Sequence, residues 1–133
     1  MQQKISPTSA ISGDIVLPGD KSISHRYAMI AAIAEGETRI RNYSTGADCH
    51  STLGCVRALG IEVAGAGTEF TIRGEGLAGL REPAGDLDAG NSGSTIRMLS
   101  GILAAQPFLT RIGGDESLSR RPSRSGPGSR TRT

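Results

Sequence analysis

A turn that leads directly into a helix start, at residues 17–26, constrains the fold of this chain more than any other stretch. Pro18 and Gly19 interrupt any strand that precedes them, because proline cannot donate to a sheet ladder and glycine favours turns. Apolar side chains then recur with helical spacing, beginning with Ile23 and Tyr27. The stretch therefore predicts a helix that starts immediately after the turn.

Cationic and hydroxyl side chains cluster at this helix start, at Lys21, Ser22, Ser24 and Arg26. The first backbone N–H groups of a helix have no partner within it and lie at the positive end of the helix dipole. Alone, Lys21 would be an ordinary exposed lysine and Ser22 an ordinary capping serine, but neither interpretation explains the cluster. We therefore predict a binding site for a phosphate or carboxylate. It is not a nucleotide phosphate loop, because the GxxxxGK[ST] spacing is missing.

The order of elements over the first 73 residues is predicted to be β-α-β-α-β-β. The predicted segments are a strand at 11–17, a helix at 22–34, a strand at 37–43, a helix that stops at Gly60, and a hairpin of 61–64 with 69–73. Ser44, Thr45 and Asp48 are candidate caps of the second helix, with Asp48 preferred. This alternation predicts an α+β fold.

The turn and helix start return 71 residues later, at Gly90–Arg97. At that offset Asp20 corresponds to Asn91, Ser24 to Thr95, and Arg26 to Arg97. Both copies continue into an apolar helix, which favours an internal repeat whose two helix starts face a common cleft. We expect Asn91 and Ser94 to satisfy the second helix start, while Arg97 could bind a ligand or pair with Asp48 or Asp88. His25 is interpreted as a packed or solvated histidine rather than an acid or base.

Charge and composition limit the classes of partner. Five of the fifteen Lys and Arg residues lie in 119–133, so residues 1–118 hold ten basic residues against thirteen acidic ones. Aromatic residues make up only 3% of the chain, which disfavours a nucleic-acid partner that needs stacking platforms. Cys49 and Cys55 fit no metal-ligand pattern and are expected to be reduced thiols. We expect no membrane span and a cytoplasmic location.

Three motifs occur in a recognisable order, at 17–26, at 89–97 and from Thr110 to Pro122. Together they resemble the N-terminal part of the 3-phosphoshikimate 1-carboxyvinyltransferase (EPSP synthase) family, over nearly all of residues 5–122. The resemblance implies the enolpyruvyl transferase fold, an inside-out α/β barrel built from βαβαββ units. The activity that it implies is transfer of the enolpyruvyl group of phosphoenolpyruvate to the 5-hydroxyl of shikimate 3-phosphate, in chorismate and aromatic amino-acid biosynthesis. Glyphosate is the family's known inhibitor.

The resemblance also implies roles for individual residues. Lys21 would contact both substrates and is the candidate catalytic residue, while Ser22 and Arg26 would bind shikimate 3-phosphate. Gly93 and Arg121 would bind phosphoenolpyruvate together with Lys21. Fixed cations offset the repulsion between two anionic substrates and orient them. No metal or organic cofactor is expected, and the full-length family implies a monomer.

The chain departs from the family pattern after residue 118. The family usually reads Ser-Leu-Arg-x-Arg-Pro-Met where residues 117–123 read Ser-Leu-Ser-Arg-Arg-Pro-Ser. We expect a partial domain over 1–118, with one complete unit and the start of a second, and a disordered tail over 119–133. Such a chain resembles a truncated or frame-shifted product and is expected to be inactive alone. The alternative function is a non-catalytic module whose basic tail binds a polyanion.

Overall fold

The computed structural model describes residues 2–120, and these combine helices with two small sheets. The elements are α1 (Lys21–Ile33), β1 (Glu35–Ile40), α2 (Ala47–Ala58), β2 (Glu62–Ala66), β3 (Glu69–Glu75), β4 (Leu87–Asp88), α3 (Gly93–Leu103), β5 (Ile112–Gly113) and α4 (Glu116–Ser119). A short 3-10 turn spans Leu77–Gly79. The mixture confirms the predicted α+β class.

The larger sheet is antiparallel and has the strand order β1-β3-β2. Its register places Ile72 of β3 between Thr38 of β1 and Val63 of β2. The neighbouring strands β2 and β3 confirm the predicted hairpin. In the smaller sheet β4 and β5 run parallel, with Leu87 opposite Ile112.

The core lies where the helices meet one face of β3. Phe70 and Ile72 alternate with more exposed residues along that strand and pack into the same core as Leu53 of α2 and Leu99 of α3. Gly74 continues this face, and a Cβ atom there would lie 2.2 Å from the carbonyl oxygens of Ala31 and Ala34. Only glycine therefore allows β3 to approach the end of α1 so closely.

The predicted strand at 11–17 is wrong, because none of residues 2–20 belongs to a strand. A strand exists only when another strand pairs with its backbone, and within residues 2–120 none pairs with this segment. Its apolar side chains are left in solvent, with Ile15 83% and Val16 96% exposed. Local β propensity indicated the extended form but could not supply the partner.

The predicted cap of α2 is also wrong. The residue at the N-cap is Gly46, and no side chain caps this helix end. Asp48 is the second residue of α2, and its carboxylate forms an ion pair with the Lys21 ammonium instead of capping the helix. β1 stops at Ile40, short of the predicted strand end, and Asn42 then adopts a positive φ of 55°. At the other end, Gly60 follows α2 with a φ of 87°, as predicted for a glycine that terminates a helix.

The buried positions of α1 and α3 match at the offset of the predicted internal repeat, whereas their N-cap residues do not. At the predicted offset of 71, three buried residues of α1 correspond to three buried residues of α3: Ser24 to Thr95, Ala28 to Leu99, and Ala32 to Leu103. The two N-caps, Asp20 and Ser92, are instead one residue further apart. The predicted correspondence of Asp20 with Asn91 therefore misses the cap by one residue.

Some predictions lie at the end of the described range or beyond it. Arg121 and nearly all of the predicted disordered tail fall outside residues 2–120, and the domain boundary at residue 118 stays a prediction. Both cysteines are free thiols, as predicted. Across the described residues, no helix is sufficiently long and apolar to span a bilayer.

Candidate functional site

The first helix start is fixed by a short set of backbone contacts. Asp20 is the N-cap of α1, and its carboxylate accepts a 2.7 Å hydrogen bond from the amide of Ile23. A Cβ atom on Gly19 would lie 1.8 Å from the carbonyl oxygen of Asn42, so only glycine lets these two segments touch. The Ser24 hydroxyl donates to the Asp20 carbonyl and accepts from the amide of Ser44. The turn is therefore tied to the loop after β1.

The three residues predicted to bind shikimate 3-phosphate all lie exposed on the first two turns of α1. The Lys21 ammonium pairs with the Asp48 carboxylate, and the Lys21 side chain remains 56% exposed. Arg26 donates from Nε to the carbonyl of Ser22 at 3.1 Å. Within residues 2–120, no carboxylate lies within ion-pair distance of Arg26. An incoming anion could therefore bind Arg26 directly, whereas it would have to compete with the Asp48 carboxylate for Lys21.

The second helix start is capped by Ser92 rather than by Asn91. The Ser92 hydroxyl oxygen accepts from the amide of Thr95 at 3.1 Å and from the hydroxyl of Thr95 at 2.7 Å. Gly93 is the first residue of α3 and is half-buried, while Ser94 is exposed. The start of α3 therefore presents backbone at Gly93, where the resemblance implies phosphoenolpyruvate.

The two helix starts are linked through the protein interior by a chain of polar side chains. The Nδ1 atom of His25, in α1, lies 2.7 Å from the hydroxyl oxygen of Thr52, in α2. That oxygen lies 2.8 Å from the hydroxyl oxygen of Thr95, in α3. All three side chains have no exposed surface. The polar chain thus connects the second turn of α1 with the first turn of α3, while the common cleft between the two helix starts stays a prediction.

His25 is a packed histidine, as predicted. Burial lowers its pKa below the ordinary value of 6.5, the nearby Lys21 charge lowers it further, and Asp48 opposes both. Its Nε2 atom lies 3.9 Å from the sulfur of Cys49, whose pKa is raised by burial. The imidazole is therefore held neutral among hydroxyl and thiol groups. Sequence reasoning missed Thr52 altogether, and its position on a helix face beside Leu53 was the only available signal.

Arg97 was singled out from the sequence, and Arg120 lies next to the predicted phosphoenolpyruvate residue Arg121. Arg97 is exposed, and the described part of the chain places neither Asp48 nor Asp88 at ion-pair distance from it. The ion pair that was one of its two predicted roles is therefore not formed in this structure. Arg120 pairs with Glu116 one helical turn earlier.

Neither of two neighbouring pockets is lined by the candidate binding residues. An open pocket of about 480 Å³ beside α3 is lined mainly by apolar residues such as Ile96 and Leu103. A pocket of about 210 Å³ adjoins the turn at Gly19 but lies on the side facing Ile40. Lys21, Ser22 and Arg26 are exposed and line neither of these two pockets. Within residues 2–120, no group of acidic, histidine and cysteine side chains is arranged to hold a metal ion.

Comparisons with known proteins agree with this geometry. Residues 5–125 match the family described as EPSP synthase (3-phosphoshikimate 1-carboxyvinyltransferase). The chain is 80% identical over 122 residues to the 3-phosphoshikimate 1-carboxyvinyltransferase of Solibacter usitatus (strain Ellin6076), covering 92% of this chain and 29% of that relative. It is 58% identical to the protein of the same name from Koribacter versatilis (strain Ellin345), covering 91% of this chain and 28% of the relative.

A solved structure gives the same result. The EPSP synthase from Acinetobacter baumannii superposes with a TM-score of 0.78 and 47% identity, covering 83% of this chain and 25% of that one. The fold, with its two capped helix starts, thus places the chain in the same fold class as that EPSP synthase. This chain belongs to the EPSP synthase family. It spans 28 to 29% of the length of the two curated relatives.

Proposed function

We propose that this chain is the substrate-binding N-terminal part of an enzyme that transfers the enolpyruvyl group of phosphoenolpyruvate to shikimate 3-phosphate. The observation that carries this proposal is the common placement of Lys21, Ser22 and Arg26, which lie exposed on two turns of one helix. These three residues occupy the family motif. Two cations beside a helix N-terminus favour an anionic ligand such as a phosphate ester.

The phosphoenolpyruvate site is proposed around Lys21, Gly93 and Arg121. Gly93 has no Cβ, so the ligand can approach the backbone at the start of α3. Because Lys21 belongs to α1, a ligand that contacts both residues would lie between the two helix starts. The cations would there offset the repulsion between the two anionic substrates and hold them in reacting orientation.

These 133 residues are proposed to bind substrate without turning it over. The family resemblance places the acid and base carboxylates in later repeats and in a second domain. With both substrates present, phosphate release should therefore not exceed that of a Lys21→Ala control. Chorismate biosynthesis, a cytoplasmic location and a metal-free reaction belong to the same proposal.

Calorimetric titration with shikimate 3-phosphate tests the binding site. Lys21→Ala should weaken binding by about tenfold, because a hydrogen bond from a charged donor is lost. Lys4→Ala is the matched control, since it removes the chain's other lysine from an exposed position ahead of the turn. Equal loss in both variants would show that only net charge matters and would contradict the proposal.

The alternative function, polyanion binding by the basic tail, predicts the opposite result for a deletion. Removing residues 119–133 eliminates five arginines. Binding of shikimate 3-phosphate at α1 should survive that deletion. Binding that disappears with the tail, and that falls steeply with added salt, would instead support the polyanion-binding module.

A further inference from the structure

The buried polar chain between α1 and α3 has a donor order that its geometry determines. The Ser92 oxygen accepts the hydroxyl proton of Thr95 at 2.7 Å. A hydroxyl group has one proton to donate, so the Thr95 oxygen can only accept from Thr52. Thr52 has then used its own proton, and at the 2.7 Å contact with His25 it must accept. The imidazole therefore donates from Nδ1. Its Nε2 atom is left as an acceptor 3.9 Å from the sulfur of Cys49, whose thiol also donates to the Lys21 carbonyl at 3.5 Å.

We propose that Thr52 is a positioning residue whose hydroxyl sets the N-terminal turn of α1 relative to that of α3. This inference rests on the proposed function, because its consequence is the relative placement of the two substrates. Thr52 itself does not touch the exposed face, since its side chain is completely buried. It acts through His25, which lies one turn after Lys21, and through Thr95, which lies two residues after Gly93.

The buried chain of polar side chains is suited to positioning α1 relative to α3, because it is shielded from solvent and its hydrogen bonds have a fixed donor order. Hydrogen bonds in a dry interior fix side-chain geometry strongly, and an unpaired polar group there is costly. The Thr52 hydroxyl accepts a hydrogen bond from Nδ1 of His25 and donates one to the hydroxyl oxygen of Thr95. A single hydroxyl group therefore satisfies polar groups on two helices. The chain ends on Ser92, the cap of α3, which couples the position of Thr52 to the start of that helix.

The charged groups that face the imidazole come from the same region. Lys21 on its own helix and Asp48 on α2 act on it with opposite sign, and Cys49 contributes a thiol. Lys21 and Asp48 also form the ion pair at the start of α1, and the Cys49 thiol donates to the Lys21 carbonyl. A displacement of His25 would therefore alter the surroundings of the Lys21–Asp48 pair.

The proposal is tested by nuclear magnetic resonance on the full chain with three variants. Thr52→Val removes the hydroxyl with little change of shape, and Thr52→Ser retains it. Thr71→Val removes a hydroxyl of the same type from β3, away from the polar chain. We expect wild-type His25 to carry its proton on Nδ1. Thr52→Val should shift the amide signals of residues 21–24 and of residues 93–95, whereas Thr52→Ser and Thr71→Val should leave both sets in place.

Affinity for shikimate 3-phosphate gives a second readout. Thr52→Val should weaken it by about fivefold or more, a typical size for coupling between sites, and Thr52→Ser should restore it. If the wild type does not bind the ligand, the proposed function fails, and the two sets of amide shifts alone decide the role of Thr52. Amide shifts confined to α2, or a wild-type His25 protonated on Nε2, would overturn the positioning role. The tautomer is measured on the wild type, so the test remains decisive even if Thr52→Val does not fold.

Discussion

His25 is a buried titratable residue one helical turn after Lys21, the candidate catalytic residue. It lies on the second turn of α1 with no exposed surface, between the Thr52 hydroxyl and the Cys49 thiol. A neutral imidazole fits both contacts, whereas an added proton on Nε2 would bring charge into a buried position near Lys21. The stability of the chain should therefore depend on the protonation state of this side chain.

The free energy of unfolding should fall as the pH is lowered through the ordinary histidine range. The pKa of His25 is lowered in the folded chain, chiefly by burial, so below an unfolded-state pKa of about 6.5 the unfolded chain binds more protons. Its contribution to stability is complete above that value and is lost progressively below it. Denaturant unfolding at about pH 7.5 and about pH 5.5 measures the difference.

The control for this prediction is the chain's other histidine. His25→Asn should remove part of the pH dependence over that interval. His50→Asn, which replaces an exposed residue of α2, should retain the wild-type dependence. If His25→Asn and His50→Asn show the same dependence as the wild type, the buried imidazole does not carry the effect.

The sequence allowed only part of this site to be predicted. Lys21, Ser22 and Arg26 belong to one helix turn and its neighbour, so their proximity follows from local geometry. His25, Thr52 and Thr95 are 27 and 43 residues apart in sequence, and only the packing of three helices brings them together. No spacing rule for a single helix or strand could have indicated that contact.

At the scale of elements, the approach of β3 to α1 decides how the sheet supports the site. Gly74 faces the carbonyl oxygens at the end of α1 at a distance that excludes any side chain. Because β3 is the central strand, its position fixes both neighbouring strands. The close contact at Gly74 therefore fixes the end of α1, the helix that carries Lys21 and Arg26, against the central strand of the sheet.

Two glycine substitutions should have opposite effects on stability. Gly74→Ala should lower the free energy of unfolding by roughly 1–3 kcal/mol, because backbone atoms must move to admit the new methyl group. Gly54 lies in α2 with open space where a Cβ atom would be. Gly54→Ala should therefore raise the free energy of unfolding by about 0.5–1 kcal/mol, because alanine has the better helix propensity. Urea unfolding of both variants measures the two changes. A neutral Gly74→Ala would contradict the close approach.

Helices and the hairpin were predictable because their signals are local. Apolar spacing, terminal glycines and alternation define α1, α2 and the β2–β3 pair within a few residues. Residues 11–17 have the same kind of β-prone composition, yet they form no strand within the described part of the chain. Strand formation needs a pairing partner, and propensity alone carries no information about where that partner lies.

At the scale of the whole molecule, the sequence predicts one complete βαβαββ unit and the start of a second, but within residues 2–120 no strand precedes α1. The buried faces of α1 and α3 correspond at the repeat offset, and both helices begin at a capped turn. Two capped helix N-termini therefore lie within one fold, and the N-terminus of each helix carries a positive end of a helix dipole. The family relatives are more than three times as long as the matched stretch.

We propose that the first turns of α1 form the binding face for shikimate 3-phosphate. Amide chemical-shift mapping of the full chain during titration with this ligand tests the claim most directly. We expect the largest changes in the amide signals of residues 21–26, and we expect phosphoenolpyruvate added afterwards to shift the signals of residues 93–95. Unchanged signals at residues 21–26, with changes confined to residues 121–133, would contradict it.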